Sequence, residues 1–146
     1  LNEKGNIENY LTGILCRINH SEIELVNAGH PYPFYYNKNT NTSEILYNKS
    51  ENRCGVIGIL GLPPKFESIT LEMNSDDELI FYTDGITEIT NKEKIPFGKN
   101  ALFNSFQRHI NEDLQSQVDL ILQDVKDYVG EEKINDDISI IILKKK

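Results

Sequence analysis

The sequence predicts an α+β fold, a layer of antiparallel strands followed by helices and a closing strand, on three observations. The first two thirds break into short apolar stretches separated by polar turns. Beyond residue 98 the apolar residues recur at helical spacing. The chain then closes on a strand-length run, Ile138–Leu143, that is apolar on both parities. Strands, then two helices, then a final central strand give a layered α+β architecture.

Tyr10–Ile18 is an apolar run, Asn19-His20-Ser21 reads as a turn, and Ile23–Ala28 alternates, so the pair predicts a hairpin. Gly29-His30-Pro31 breaks it, and Pro33–Tyr36 is a short aromatic strand. The cluster Tyr32–Tyr36 is read as core packing rather than as a docking patch. Asn37–Ser43 holds only Asn, Lys, Thr and Ser, the composition of a turn, from which Glu44–Tyr47 returns. Gly55–Pro64, with three glycines and two prolines, is a surface connection. Phe66–Met73 alternates imperfectly, as an exposed or edge strand does, and Asn74–Asp77 is a turn. In Glu78–Thr83, Leu79, Ile80, Phe81 and Tyr82 are apolar on both parities, which predicts a strand covered on both faces. Ala101, Leu102, Phe106 and Ile110, then Val118, Ile121, Leu122, Val125 and Val129, mark two helices, with Gly130 at the second C-terminus.

Composition narrows the function. A chain of 146 residues that is 38% hydrophobic and 26% charged can bury a core and has the balance of a soluble globular domain. Its longest apolar runs are far short of a membrane span, and no signal segment opens it, so a cytoplasmic location without membrane contact is expected. Cys16 and Cys54 are too few for a disulfide framework and lack metal-ligand spacing. A net charge of −8 weighs against nucleic acid. The one dense basic run, Lys144–Lys146, reads as a solvated tail. Because the chain begins at Leu1, it is expected to be part of something longer.

Chemistry concentrates at two strand ends. Glu78–Thr83 runs into Asp84-Gly85, and Asp136-Asp137 immediately precedes Ile138–Leu143. If these strands are adjacent and antiparallel, Asp84 and Asp136 face each other at one sheet edge. Two close carboxylates repel, and a hard divalent cation such as Mg²⁺ or Mn²⁺ removes that penalty. Gly85 would let the backbone turn sharply behind the ligand. Acids at strand ends are also ordinary turn formers, and spacing alone leaves both readings open.

An ordered series of motifs surrounds them: Asn27-Ala28-Gly29-His30-Pro31, Gly58–Leu62, Phe81-Tyr82-Thr83-Asp84-Gly85-Ile86-Thr87-Glu88, Phe97-Gly98, and Asp136-Asp137-Ile138-Ser139. The series resembles the stage II sporulation protein E class of PPM (type 2C, metal-dependent) serine/threonine phosphatases, from about Tyr10 to Leu143. The resemblance implies an antiparallel β-sandwich flanked by helices, with two Mn²⁺ or Mg²⁺ ions at one sheet edge and a metal-bridging water attacking phosphorus without a phosphoenzyme. It implies metal ligation by Asp84 and Asp136, and supporting positions for Gly85 and Asp137. No side-chain nucleophile is required.

One part of the family pattern has no counterpart. The bridging aspartate of a GD(V/I)SGHG segment lies N-terminal to everything seen here, and the only Gly-His pair, Gly29-His30, belongs to the turn motif. The chain is therefore expected to be the C-terminal portion of such a domain, residues 1–146, with little activity alone and exposed strand edges through which it dimerises. By resemblance the full protein dephosphorylates a regulatory protein of the anti-sigma-factor-antagonist type. The alternative is a non-catalytic signalling or scaffold module with an incomplete metal centre. Glu88, four residues past Asp84, is a further site candidate. So is His30, whose position between glycine and proline better fits a turn-stabilising imidazole. His20 and His109 are read as surface residues.

Overall fold

The computed structural model describes residues 10–47, 55–58, 66–134 and 136–146. In chain order the elements are β1 (Gly13–Asn19), β2 (Glu22–Ala28), β3 (Phe34–Asn37), β4 (Thr42–Ile45), β5 (Ser68–Glu72), β6 (Glu78–Tyr82), α1 (Gly85–Glu88), α2 (Gly98–His109), α3 (Leu114–Val129) and β7 (Ile140–Lys144). They fall into two units, Leu1–Tyr32 with Leu46–Met73 and Pro33–Ile45 with Asn74–Lys146.

The first unit is a three-stranded antiparallel sheet in the order β1-β2-β5. The predicted hairpin forms, with Asn19 opposite Glu22 across a two-residue loop in which His20 takes a positive φ of 54°. β5 lies at the edge, as its imperfect alternation predicts. Ile23 and Leu25 of β2 are buried, whereas Leu15 and Ile18 of the edge strand β1 are exposed. Cys16 is a free thiol, and burial pushes its pKa up. Cys54 and most of the Gly55–Pro64 connection lie outside the described residues.

The turn after β2 is locked by its own side chains. Buried Asn27 accepts a hydrogen bond from the His30 amide and donates one to the His30 carbonyl, each 2.8 Å. Between them Gly29 takes φ +73°, and a Cβ there would meet Val56 Cγ2 at 2.8 Å. Glycine is required at this position on both counts.

The second unit is a four-stranded antiparallel sheet, β4-β3-β6-β7. Phe34, Ile80, Tyr82, Ile86, Leu102, Phe106, Ile121 and Val125 form the centre of its core, to which β3, β6 and all three helices contribute. The aromatic stretch is core, as expected: Phe34, Tyr35 and Tyr36 are all buried. Phe97 of the Phe97-Gly98 motif is buried too, its ring edge-on to Tyr128 at 5.2 Å. Asp113 caps α3, accepting from the amides of Gln115 and Ser116 at 3.1 Å. Gly130 closes the helix, its amide donating to Lys126 O.

Three expectations need correction. The closing strand begins at Ile140 and, among the described residues, is the last strand of its sheet rather than a central one. Ile140 and Ile142 pack against the core, but Ile141 is 58% exposed. Apolarity on both parities reports the character of the residues, not whether a neighbour covers the second face. Nor is the basic terminus simply solvated. Lys144 Nζ lies 3.1 Å from the fully buried Glu78 carboxylate, and the Lys145 amide donates to Asp77 O at 3.0 Å. His109, finally, is not a free surface residue. Its Nε2 lies 3.0 Å from Asp124 Oδ2, in a clasp that also takes the Ser105 hydroxyl and Arg108. Burial pushes the Asp124 carboxyl up, but the Ser105 and His109 hydrogen bonds and the Arg108 charge outweigh it and hold its pKa below the ordinary value.

Candidate metal centre

β6 and β7 are adjacent and antiparallel, with Tyr82 opposite Ile140 as the last pair of the ladder. Asp84 therefore leaves the sheet where the segment carrying Asp136 and Asp137 enters it. Pairing continues past the ladder through Thr83. Its amide donates to Ser139 O at 3.1 Å, its hydroxyl donates to Asp137 O at 3.2 Å, and the same hydroxyl accepts from the Ser139 amide at 2.9 Å.

The chain then enters α1, a single helical turn that sequence periodicity was too short to reveal. Asp84 stands at its N-cap position with φ −60° and ψ −27°, but its carboxylate makes no capping hydrogen bond. The Asp84 carbonyl does that work, accepting from the amides of Thr87 and Glu88 at 2.8 and 2.9 Å and from the Thr87 hydroxyl. The turn-former reading thus explains the backbone of Asp84 and leaves its carboxylate exposed and unused. Among the described residues, Asp136 Oδ1 accepts only the neighbouring Asp137 amide, at 2.8 Å.

Gly85 matters here for a different reason from the one its sequence position indicated. It is helical rather than left-handed, and its buried Cα faces the incoming strand. A Cβ would land on the Asp137 carbonyl oxygen and lie 3.4 Å from Asp136 Cβ. The glycine lets two backbone segments touch, each bearing one aspartate.

A cavity of about 180 Å³ opens beside this contact, lined by Gly85, Glu88, Ile89, Thr90, Lys133, Ile134 and Asp136. Glu88 and Asp136 both line it. Asp137 contributes through its backbone, with its carboxylate exposed. His30 belongs to the first unit, where its Nδ1 lies 3.5 Å from Thr12 Oγ1 and its backbone is held by Asn27. The turn itself is held by the Asn27 side chain acting on the His30 backbone. Sequence reasoning passed over Thr83 and Ser139. Their signal was a hydroxyl residue flanking each acidic motif, Thr83 before Asp84 and Ser139 two after Asp137.

The donor set suits a hard cation: carboxylate oxygens at an exposed strand end, with no lysine, arginine or histidine paired to Asp84 or Asp136 among the described residues. Among the described residues no group of three or more His, Cys, Asp or Glu side chains is gathered to hold a metal ion. What is present fits part of a metal site.

The family model described as stage II sporulation protein E matches residues 1–146. No individual curated protein matches the sequence. Among solved structures, the chain is similar to the SiaA-PP2C domain of Pseudomonas aeruginosa, with TM-score 0.71 and 16% identity over 86% of this chain and 47% of that one. It is similar to the Mn-presoaked phosphatase domain of the cell fate determinant SpoIIE from Bacillus subtilis, with TM-score 0.67 and 15% identity over 99% of this chain and 60% of that one. It is also similar to the RsbU and RsbW domains of a Mycobacterium tuberculosis protein, with TM-score 0.67 and 18% identity over 92% and 37% of the two chains. The chain spans less than two thirds of each, and at these identities the likeness is one of fold.

Proposed function

Since this chain belongs to the stage II sporulation protein E family across residues 1–146, we propose that it is the C-terminal portion of a metal-dependent phosphatase domain acting on phosphoserine or phosphothreonine. The observation that carries the reading is the junction of β6 and β7, where Gly85 lets the segments bearing Asp84 and Asp136 touch. In this reading Asp84 and Asp136 are ligands to Mn²⁺ or Mg²⁺, Gly85 and Asp137 hold the two segments together, and Glu88 lines the adjoining cavity. Bound there, a divalent ion would supply Lewis acidity and an acidified water. The substrate is a phosphorylated bacterial regulatory protein of the anti-sigma-factor-antagonist type, and the compartment is the cytoplasm. No helix among the described residues is long and apolar enough to cross a membrane.

The alternative reading is a signalling or scaffold module without catalysis. Phosphatase assays separate the two. The full protein should hydrolyse p-nitrophenyl phosphate and a phosphoserine peptide in a Mn²⁺-dependent manner and lose that activity in Asp84→Asn, while the 146-residue chain turns over negligibly. Full protein that is inactive with Mn²⁺ and Mg²⁺ would favour the module. Robust metal-dependent turnover by the 146-residue chain would overturn its reading as a portion.

A further inference from the structure

We infer that Thr83 is a positioning residue, whose hydroxyl holds the Asp84 and Asp136 segments in register and thereby sets their affinity for a divalent cation. The inference rests on the metal reading above and assigns a role to a residue outside the candidate ligands.

The argument starts from where the β6–β7 ladder ends. Tyr82 and Ile140 are its last pair, and strand ends fray where nothing continues the pairing. Here the pairing continues through one side chain. Thr83 Oγ1 uses both its capacities across the gap, donating to Asp137 O at 3.2 Å and accepting from the Ser139 amide at 2.9 Å. Both contacts fall within reach of the aspartates, since Thr83 precedes Asp84 and Asp137 follows Asp136.

The aspartates themselves do nothing to close the junction. The Asp84 carboxylate makes no cap, and Asp136 Oδ1 bonds only to its neighbour's amide. Two carboxylates of like charge give these segments no attraction of their own. The contacts that join the segments are those of the Thr83 hydroxyl, the Thr83 amide and Gly85. Of these, only the hydroxyl can be removed without touching backbone. Groups that orient ligands from behind commonly control metal affinity in this way.

The test is Mn²⁺ titration by calorimetry of the 146-residue chain as wild type, Thr83→Val, Thr83→Ser and Asp84→Asn. Valine keeps the shape and loses both hydrogen bonds, while serine keeps them. We expect Thr83→Val to weaken Mn²⁺ binding by about tenfold or more, and Thr83→Ser to stay within about threefold of wild type. The thermal midpoint of metal-free Thr83→Val should change little, which a merely structural residue would not allow. Wild-type affinity in Thr83→Val overturns the inference while leaving the metal reading intact. Equal binding by Asp84→Asn and wild type overturns the metal reading itself. Should the valine variant fail to fold, amide exchange in the wild-type protein still decides. The Ser139 amide, whose acceptor is the Thr83 hydroxyl, should be protected, and more so with Mn²⁺. A Ser139 amide that exchanges at the rate of an open loop overturns the inference.

Discussion

Gly85 and the Asp137 carbonyl meet so closely that a single methyl group on Gly85 would clash with the oxygen, with Asp136 Cβ only 3.4 Å away. The neighbour is backbone of a segment tied to β6 by Thr83, so it has little freedom to retreat. Gly85→Ala should therefore destabilise the protein by about 1–3 kcal/mol, the usual scale of an overpacked site. It should also weaken Mn²⁺ binding, because the segment that moves carries Asp136. Urea denaturation and calorimetry on the same preparation read both effects. An alanine variant with wild-type midpoint and affinity would show that the contact is soft.

Asp84→Asn and Asp136→Asn should behave in the opposite manner. Both carboxylates are exposed and neither is paired with a cation, so folding gains little from their charge. Stability should stay within about 0.5 kcal/mol of wild type, as for surface substitutions generally. Mn²⁺ binding should be lost in each. A variant that binds normally, or that unfolds, would place its aspartate in another role.

What could be read in advance divides along physical lines. The hairpin of β1 and β2, the two helices and the adjacency of β6 and β7 were legible, because each is written in local periodicity or in matching strand ends. So was the burial of Leu79, Ile80 and Tyr82 in β6, apolar on both parities, although Phe81 between them is only half-buried. The same pattern misled for β7, since Ile141 is as apolar as Ile80 and yet exposed. That the segments bearing Asp84 and Asp136 meet was legible in matching strand ends, but the reason for Gly85 was not. Its φ was expected to matter, and its missing Cβ matters instead, which depends on a chain segment some fifty residues away. Thr83, Asp77 and Asp124 were invisible for the same reason, because their partners are distant in sequence.

Asp77 gives a pH prediction. Fully buried at the β5–β6 corner, it accepts from the Tyr35 hydroxyl and from the amides of Lys38 and Asn74, each at 2.7 Å. Burial, then the hydrogen bond to Asp77 and its charge, push Tyr35 up to about 12 from an ordinary 10.0. A folded-state pKa raised above the unfolded value contributes stability that is complete below pH 10.0 and lost as pH rises through about 12. Urea midpoints measured across that window should fall for wild type, and fall less steeply for Tyr35→Phe. Parallel slopes would remove Tyr35 as the cause. Asp77→Ala, which takes the acceptor from the buried Tyr35 hydroxyl and from the part-buried amides of Lys38 and Asn74, should cost about 1–3 kcal/mol at neutral pH.

The last prediction concerns association. Among the described residues, β1 and β7 each end a sheet, and each shows apolar side chains to solvent, Leu15 at 73% and Ile18 at 58% on β1, Ile141 at 58% on β7. An edge strand offers unpaired amides and carbonyls to any strand that approaches, and apolar neighbours add to the attraction. Protective features on β1 are slight: Arg17 is the one charged residue, and it is already engaged with Glu24 across the hairpin at 2.7 Å. The 146-residue chain should therefore self-associate through an edge, the simplest closed product being a two-fold dimer. Light scattering after size exclusion should show mass rising with concentration. Leu15→Lys and Ile141→Lys each place a charge on one edge, so whichever restores the monomer identifies the strand used. A monomer over the whole concentration range in wild type would mean that both edges are satisfied within one chain.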